Sequence, residues 1–251
     1  MKLKLLLINL DRSTSRLQAM SAQLQRLGLQ WERMAGVDGR LLQTENDLER
    51  YGYSLALNRK IYPRDMIPGE VGCFSSHRLA WKRILDNGWD GAVVLEDDII
   101  LSPEFPKFVT ALEKAAGRWE AVRLCAFRKI LRPEPLDAGG RWKMGFFFKT
   151  PTYTGAQALT AGAAAKLHTA TRVFGSPVDV ALQWWWETGV RFKGLIPDYP
   201  VAPNPKMPTD TDEAGAPRQA NPSRRMVRFT RAVKYNTMVC LKTAAWLLGN
   251  R

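Results

Sequence analysis

Cysteine and histidine are scarce, three and two in 251 residues, and Cys73, Cys125 and Cys240 lie far apart without a C-x-x-C pair. That spacing excludes a disulfide framework and a zinc ribbon, and a reducing cytoplasm fits best. No run of 18 apolar residues occurs, so no spanning helix is expected and any membrane contact is peripheral. Met1 to Ile8 begins like a secretion signal, but Asn9 ends the run and Asp11-Arg12 follows without a small-residue cleavage site. The segment reads as a buried first strand. A Walker-type glycine loop, a helix-turn-helix and an RNA-binding signature are all missing, as is any internal repeat.

Acidic residues are also missing from 218 to 251, where eight basic ones stand: Arg218, Arg224, Arg225, Arg228, Arg231, Lys234, Lys242 and Arg251. The whole chain carries +13, so the tail holds eight of those charges and the first 217 residues only five. A basic excess asks for an anionic partner: nucleic acid, a membrane surface or a phosphorylated substrate. With 45% hydrophobic and 24% charged residues, the composition is that of a globular chain.

Along the chain, strands and helices alternate. An apolar strand over 3–10 leads into Asp11-Arg-Ser-Thr-Ser, whose side chains suit a helix N-terminus, and the helix stops at Gly28. Leu29 to Val37 is read as a second strand, and 43–66 as one short helix and a loop. Pro68-Gly69-Glu70 opens a helix closed by Gly88, with Cys73, Phe74, Ala80, Trp81, Ile84 and Leu85 on its buried arc. Glu70 and His77 share that arc, with Ser75 and Ser76 alongside, which suggests a polar site at its border. Gly91 to Leu95 is a buried strand. Beyond it the pattern predicts a helix over 103–117, a strand over 119–124, a loop over 128–143 and an extended stretch over 146–158. A helix over 161–173 follows, then one from Pro177 containing Trp184-Trp185-Trp186, and a last strand over 190–196. The fold class is α/β: a Rossmann-type α/β/α sandwich around a mostly parallel sheet. Residues 1–196 form the domain, 197–222 a proline-rich linker, and 223–251 a basic amphipathic helix.

Chemistry concentrates at Glu96-Asp97-Asp98, directly after the strand ending at Leu95. Open α/β sheets bind ligands at the carboxyl ends of their strands. Three adjacent carboxylates repel unless a cation neutralises them, and magnesium or manganese with oxygen ligands does so. In extended chain Glu96 and Asp98 point one way and Asp97 the other. The competing reading is that Asp97 or Asp98 caps the next helix. His77 is either a satisfied core histidine or part of the site, and one of the three tryptophans could stack on a sugar.

Several segments together resemble the family 25 glycosyltransferases: Ile8-Asn-Leu-Asp-Arg12 with Arg16, Ala35-Gly-Val-Asp-Gly39, Gly69 to His77 with Trp81, Val94 to Asp98, and Pro177-Val-Asp179. Alanine-glycine at 35–36 departs from the family pattern. The resemblance implies a GT-A type domain, a nucleotide-sugar donor and a divalent metal, Mn²⁺ or Mg²⁺, held by Asp98 and Glu96. It places Asn9, Leu10, Arg16, Glu70, Glu96 and Asp97 toward the donor. It also makes Asp179, with His77, the catalytic candidates in an inverting transfer. Galactose from UDP-galactose onto a lipooligosaccharide or lipopolysaccharide core, a lipid-linked acceptor, is the first expectation.

On a helix, Met226, Phe229, Val233, Thr237, Cys240, Leu241, Ala244, Leu247 and Leu248 share about a third of the circumference, and the basic residues occupy the rest. Such a helix either lies in an anionic membrane interface or docks on the domain, and Tyr235 and Trp246 fall on its polar side. The expected place is the cytoplasm, peripheral on the inner face of a bacterial inner membrane, with no nucleic-acid partner. The rival readings are a metal-dependent nucleotidyltransferase and a basic nucleic-acid-binding protein.

Overall fold

The computed structural model describes residues 1–125, 128–196, 199–207 and 222–249. The elements in chain order are β1 (Leu3–Asn9), α1 (Thr14–Arg26), β2 (Glu32–Ala35), α2 (Glu45–Arg50), α3 (Leu55–Ile61), α4 (Pro68–Asp86), β3 (Gly91–Leu95), β4 (Ile99–Leu101) and α5 (Phe105–Lys114). Then come β5 (Ala121–Arg123), β6 (Ile130–Pro135), β7 (Lys143–Phe147), β8 (Ala156–Thr160), α6 (Ala161–Ala170), α7 (Val178–Ala181), α8 (Trp185–Thr188), β9 (Lys193–Ile196), β10 (Val201–Pro203) and α9 (Arg225–Gly249).

The apolar run of β1 is long because both its faces are covered. Leu3, Leu5 and Leu7 pack with α1 and α5, while Leu6 and Ile8 pack on the other face with Phe74, Trp81 and Ile84 of α4 and Leu167 of α6. The main sheet has the order β2-β1-β3-β8-β5-β9-β7-β6. Six of its strands run one way and β7 and β8 run against them, so the sheet is mostly parallel, as expected.

Several local expectations need correction. The stretch 128–143 is not a loop: β6 and β7 form a hairpin at the sheet edge. Two prolines stand in β6, which an edge strand tolerates because one side needs no ladder donors. The segment 43–66 holds two helices, α2 and α3, the first closed by a capping box between Thr44 and Asp47. The segment from Pro177 breaks into α7 and α8. Of the proline-rich 197–222, residues 201–203 form β10 against β4, and 197–198 and 208–221 lie outside the described residues. On α4, Leu85 is exposed while Ser75 and Ser76 are buried, each returning its hydroxyl to the carbonyl four residues earlier.

The C-terminal helix forms, but it docks by the face not expected to dock. Tyr235 lies against Trp184 and Trp186, and Trp246 meets Phe146. Arg231 sits over the rings of Tyr62 and Trp184, and Arg191 over Trp246. Arg224 pairs with Asp65 at 2.6 Å. Val239 and Thr243 are buried under the helix, whereas Met226, Phe229, Val233, Leu241 and Leu248 of the apolar stripe face outward.

Close backbone approach explains the glycines flanking the N-terminus of α4. A Cβ on Gly72 would stand 2.5 Å from the Val37 carbonyl, and one on Gly39 would stand 2.4 Å from that of Pro68. The Val37 N–H donates to Ser76 Oγ across the same contact. Gly72→Ala is expected to cost about 1–3 kcal/mol by overpacking, read as a lower urea midpoint with unchanged slope.

Candidate active site

A cavity of about 750 Å³ opens at the carboxyl ends of β1 and β3, between the first half of α4, the β7–β8 connection and the start of α7. Asn9, Leu10, Arg16, Glu70, His77, Glu96, Asp97, Asp98 and Asp179, all nine residues singled out from sequence, line it. None of Trp184, Trp185 and Trp186 is among its lining residues; Trp184 and Trp186 receive α9 instead.

The three carboxylates after β3 have different surroundings. The chain bends there, so strand alternation ends and all three reach the cavity. Neither Asp97 nor Asp98 caps α5, whose N-cap residue is Glu104. Glu96 accepts from His77 Nε2 at 2.8 Å. Burial pushes its carboxyl up, but bonds from His77 and Thr154 and the nearby Arg123 charge outweigh that and leave it below its usual range. Asp97 is fastened sideways: Asn9 Nδ2 donates to it at 2.6 Å and Arg16 Nη1 lies at 3.3 Å. Asp98 is buried, and its Oδ1 has no hydrogen-bond partner among the described residues. Burial, then repulsion from Glu96 and Asp97, pushes its carboxyl up to about 7.

An unbonded, buried carboxylate oxygen beside two more carboxylates is poorly placed without a cation. The donor set is all oxygen, which suits a hard divalent ion, so Asp98 with Glu96 fits the implied metal. Cys73, His77 and Glu96 also lie within 4.8 Å of one another, a set suited to a softer ion. His77 does not suit it. Gln157 Nε2 donates to Nδ1 at 3.0 Å, which places the ring proton on Nε2, the atom that faces Glu96. Burial also pushes the Cys73 thiol well up. His77 is 1% exposed with both ring nitrogens engaged, and it holds Glu96 in place.

Glu70 is a clamp as well as a wall. Both its oxygens take the Arg64 guanidinium, at 2.7 and 2.5 Å, and Oε2 also accepts the Ile67 N–H at 3.2 Å. Asp179 is half-buried at the start of α7, with Oδ1 accepting from the Val180 N–H at 2.8 Å. Burial pushes its carboxyl up. Arg12, which pairs with Asp38 at 2.7 Å, and Arg40 add positive charge to the cavity wall.

Sequence reasoning missed Thr152, Tyr153 and Thr154, which line the cavity. Tyr153 buries a hydroxyl that has no partner among the described residues. Their signal was present in Thr150-Pro-Thr-Tyr-Thr-Gly155, a polar turn between two strands. It also missed Gln157, a fully buried polar residue in the largely apolar strand β8.

The raised Asp98 group has a consequence for the metal-free protein. Its folded value near 7 stands above the ordinary carboxylate value, so the stability it contributes is complete in acid and lost as pH rises through about 7. Asp98→Asn is expected to remove that loss. By calorimetry in EDTA the variant should melt about 3 °C or more above the parent at pH 8, and the gap should narrow as pH falls from 7 and close only below about pH 4, the ordinary carboxylate value. A gap of the same size at both ends of that range would contradict this electrostatic account of Asp98.

A family model described as glycosyltransferase family 25 (LPS biosynthesis protein) matches residues 2–182. A glycosyltransferase 25 family member of Aedes aegypti is 31% identical over 121 residues, covering 46% of this chain and 20% of the relative. Procollagen galactosyltransferase 2 of Homo sapiens is 28% identical over 144 residues, covering 52% and 22%. The matched stretch thus spans about a fifth of these curated relatives. A solved structure, mannose-1-phosphate geranyltransferase from Thermus thermophilus, covers 79% of this chain and 75% of its own at 14% identity. Its TM-score of 0.38 is too low to carry weight. The family model takes in β1, α4, β3, the acidic triplet and Asp179, the elements that build the cavity, and this chain belongs to glycosyltransferase family 25.

Proposed function

We propose that the chain is a metal-dependent, inverting glycosyltransferase that moves a hexose, first of all galactose from UDP-galactose, onto a lipooligosaccharide or lipopolysaccharide core. The observation that carries this reading is the buried, unbonded oxygen of Asp98 in the cavity that Asp179 and three arginines also line. The family description supports the acceptor class, and the galactosyltransferase relatives support the donor.

Each residue then has a task. Asp98 and Glu96 hold the divalent ion, which when bound neutralises charge on the diphosphate leaving group. Asn9 and Arg16 keep Asp97 turned aside from that position. Arg12, Arg16 and Arg40 draw the phosphates to the β1 end of the cavity. Positive charge develops at the anomeric carbon as the bond to diphosphate stretches. Inversion needs a carboxylate on the opposite face to take the proton from the acceptor hydroxyl, and we assign this to Asp179. Its burial brings it nearer the basicity such a step requires at neutral pH.

We further propose that α9 holds the protein on an anionic membrane, the cytoplasmic face of the bacterial inner membrane, beside a lipid-linked acceptor. No described helix is long and apolar enough to cross a bilayer. The support is the outward stripe of Met226, Phe229, Val233, Leu241 and Leu248, flanked by exposed Arg225, Arg228 and Lys242. Each basic residue near an anionic surface contributes about 1 kcal/mol.

A panel of nucleotide sugars tests the first proposal by Mn²⁺-dependent release of nucleoside diphosphate, with UDP-galactose expected to give the highest rate. Asp98→Asn should lower kcat/KM at least about 100-fold, and Asp179→Asn about 100- to 10,000-fold with little change in donor affinity. Full activity of Asp98→Asn in EDTA would end the metal reading. Flotation with vesicles tests the second. Phe229→Ser, Leu241→Ser and Leu248→Ser combined should abolish binding to phosphatidylglycerol vesicles while turnover of a soluble acceptor survives, and undiminished flotation would refute it.

A further inference from the structure

Arg123 ends β5 with no exposed surface, and among the described residues its Nε and Nη2 have no hydrogen-bond partner. Its guanidinium rests 4.4 Å from the centre of the Phe192 ring, and burial lowers its basicity to about 10, which still leaves it charged at neutral pH. A buried cation so poorly satisfied is costly, and its one bond among the described residues, Nη1 to Gln157 Oε1 at 3.4 Å, has a directional consequence.

Arg123 and Gln157 are paired directly across β5 and β8. An arginine only donates, so the amide atom facing it must be the oxygen, and the Gln157 NH₂ is thereby turned to His77 Nδ1 at 3.0 Å. That donor needs a lone pair on Nδ1. The ring proton is then on Nε2, 2.8 Å from Glu96 Oε1. From buried arginine to cavity wall, every bond in this chain points the same way.

We propose that Gln157, oriented by Arg123, is a positioning residue that fixes the His77 ring with its proton on Nε2 and so holds Glu96 as a hydrogen-bond acceptor facing the cavity. Neither Gln157 nor Arg123 lines the cavity, so both act through His77. The kinetic consequence rests on the glycosyltransferase reading above; the ring assignment does not. Supporting groups of this kind around ligands are typically worth about 10- to 100-fold.

The protein has only two histidines, His77 and His168, so ¹⁵N-labelled full-length chain gives two ring patterns in long-range ¹H–¹⁵N correlation, assigned with His168→Gln. At pH 7.5 His77 is expected to show protonated Nε2 and bare Nδ1. Gln157→Leu should change that pattern toward a mixture of the two forms and lower kcat about 10-fold or more at nearly unchanged donor KM. Gln157→Glu, which can accept from the ring, should move the proton to Nδ1. A wild-type ring protonated on Nδ1, or a Gln157→Leu pattern identical to wild type, would overturn the proposal whether or not any sugar is transferred. Should Gln157→Leu not fold, the near-isosteric Gln157→Glu decides it: a ring still protonated on Nε2 there would overturn the proposal, as would a wild-type ring protonated on Nδ1. Absence of turnover with the expected ring pattern would instead count against the glycosyltransferase reading.

Discussion

Repulsion among three consecutive carboxylates is the constraint around which this site is organised. Glu96, Asp97 and Asp98 follow a buried strand without a spacer, so each must find its own compensation. Two find it within the protein. His77, held from behind by Gln157 and Arg123, answers Glu96, and Asn9 with Arg16 answers Asp97. Asp98 is left with a bare oxygen and a carboxyl that ionises only near pH 7. The surrounding elements are placed to serve this division: β1 delivers Asn9, α1 delivers Arg16, and α4 turns His77 inward.

Local patterning made much of this legible. β1, α1, α4 and β3 were readable because their hydrophobic spacing, glycine stops and proline start are short-range signals that their tertiary surroundings reinforce. The acidic triplet was readable because carboxylates clustered after a buried strand have few structural uses. Asp179 joined it through the resemblance of Pro177-Val-Asp179 to the family, since little else distinguishes an aspartate near a helix start.

Unread features share one cause: their role is set by what lies across a strand pair or at a sheet edge. Gln157 and Arg123 are fully buried polar residues in largely apolar strands, and only the register of β5 on β8 brings them together behind His77. β6 is proline-rich and polar, and it becomes a strand because it needs to pair on one side only. The separate fates of Asp97 and Asp98 depended on a bend in the chain, where strand periodicity no longer applies.

The C-terminal helix shows a different departure, one of choice between two faces. A helix with an apolar stripe ordinarily buries that stripe, because apolar area removed from water is the main gain in docking. Here the aromatic and cationic face docks: Arg231 over Trp184 and Tyr62, Tyr235 against Trp184 and Trp186, Trp246 against Phe146. Cation–π and ring contacts make a face with basic residues capable of docking, which leaves the aliphatic stripe unspent. The docked face also reaches the cavity's border. Arg224 pairs with Asp65, Asp65 directly follows Arg64 in the sequence, and Arg64 clamps Glu70 in the cavity wall. The outward stripe and the wall of the cavity are therefore joined through one short segment between α3 and α4. A helix seated this way fixes the height and angle of the cavity relative to whatever surface the stripe meets, which a free basic tail would not do.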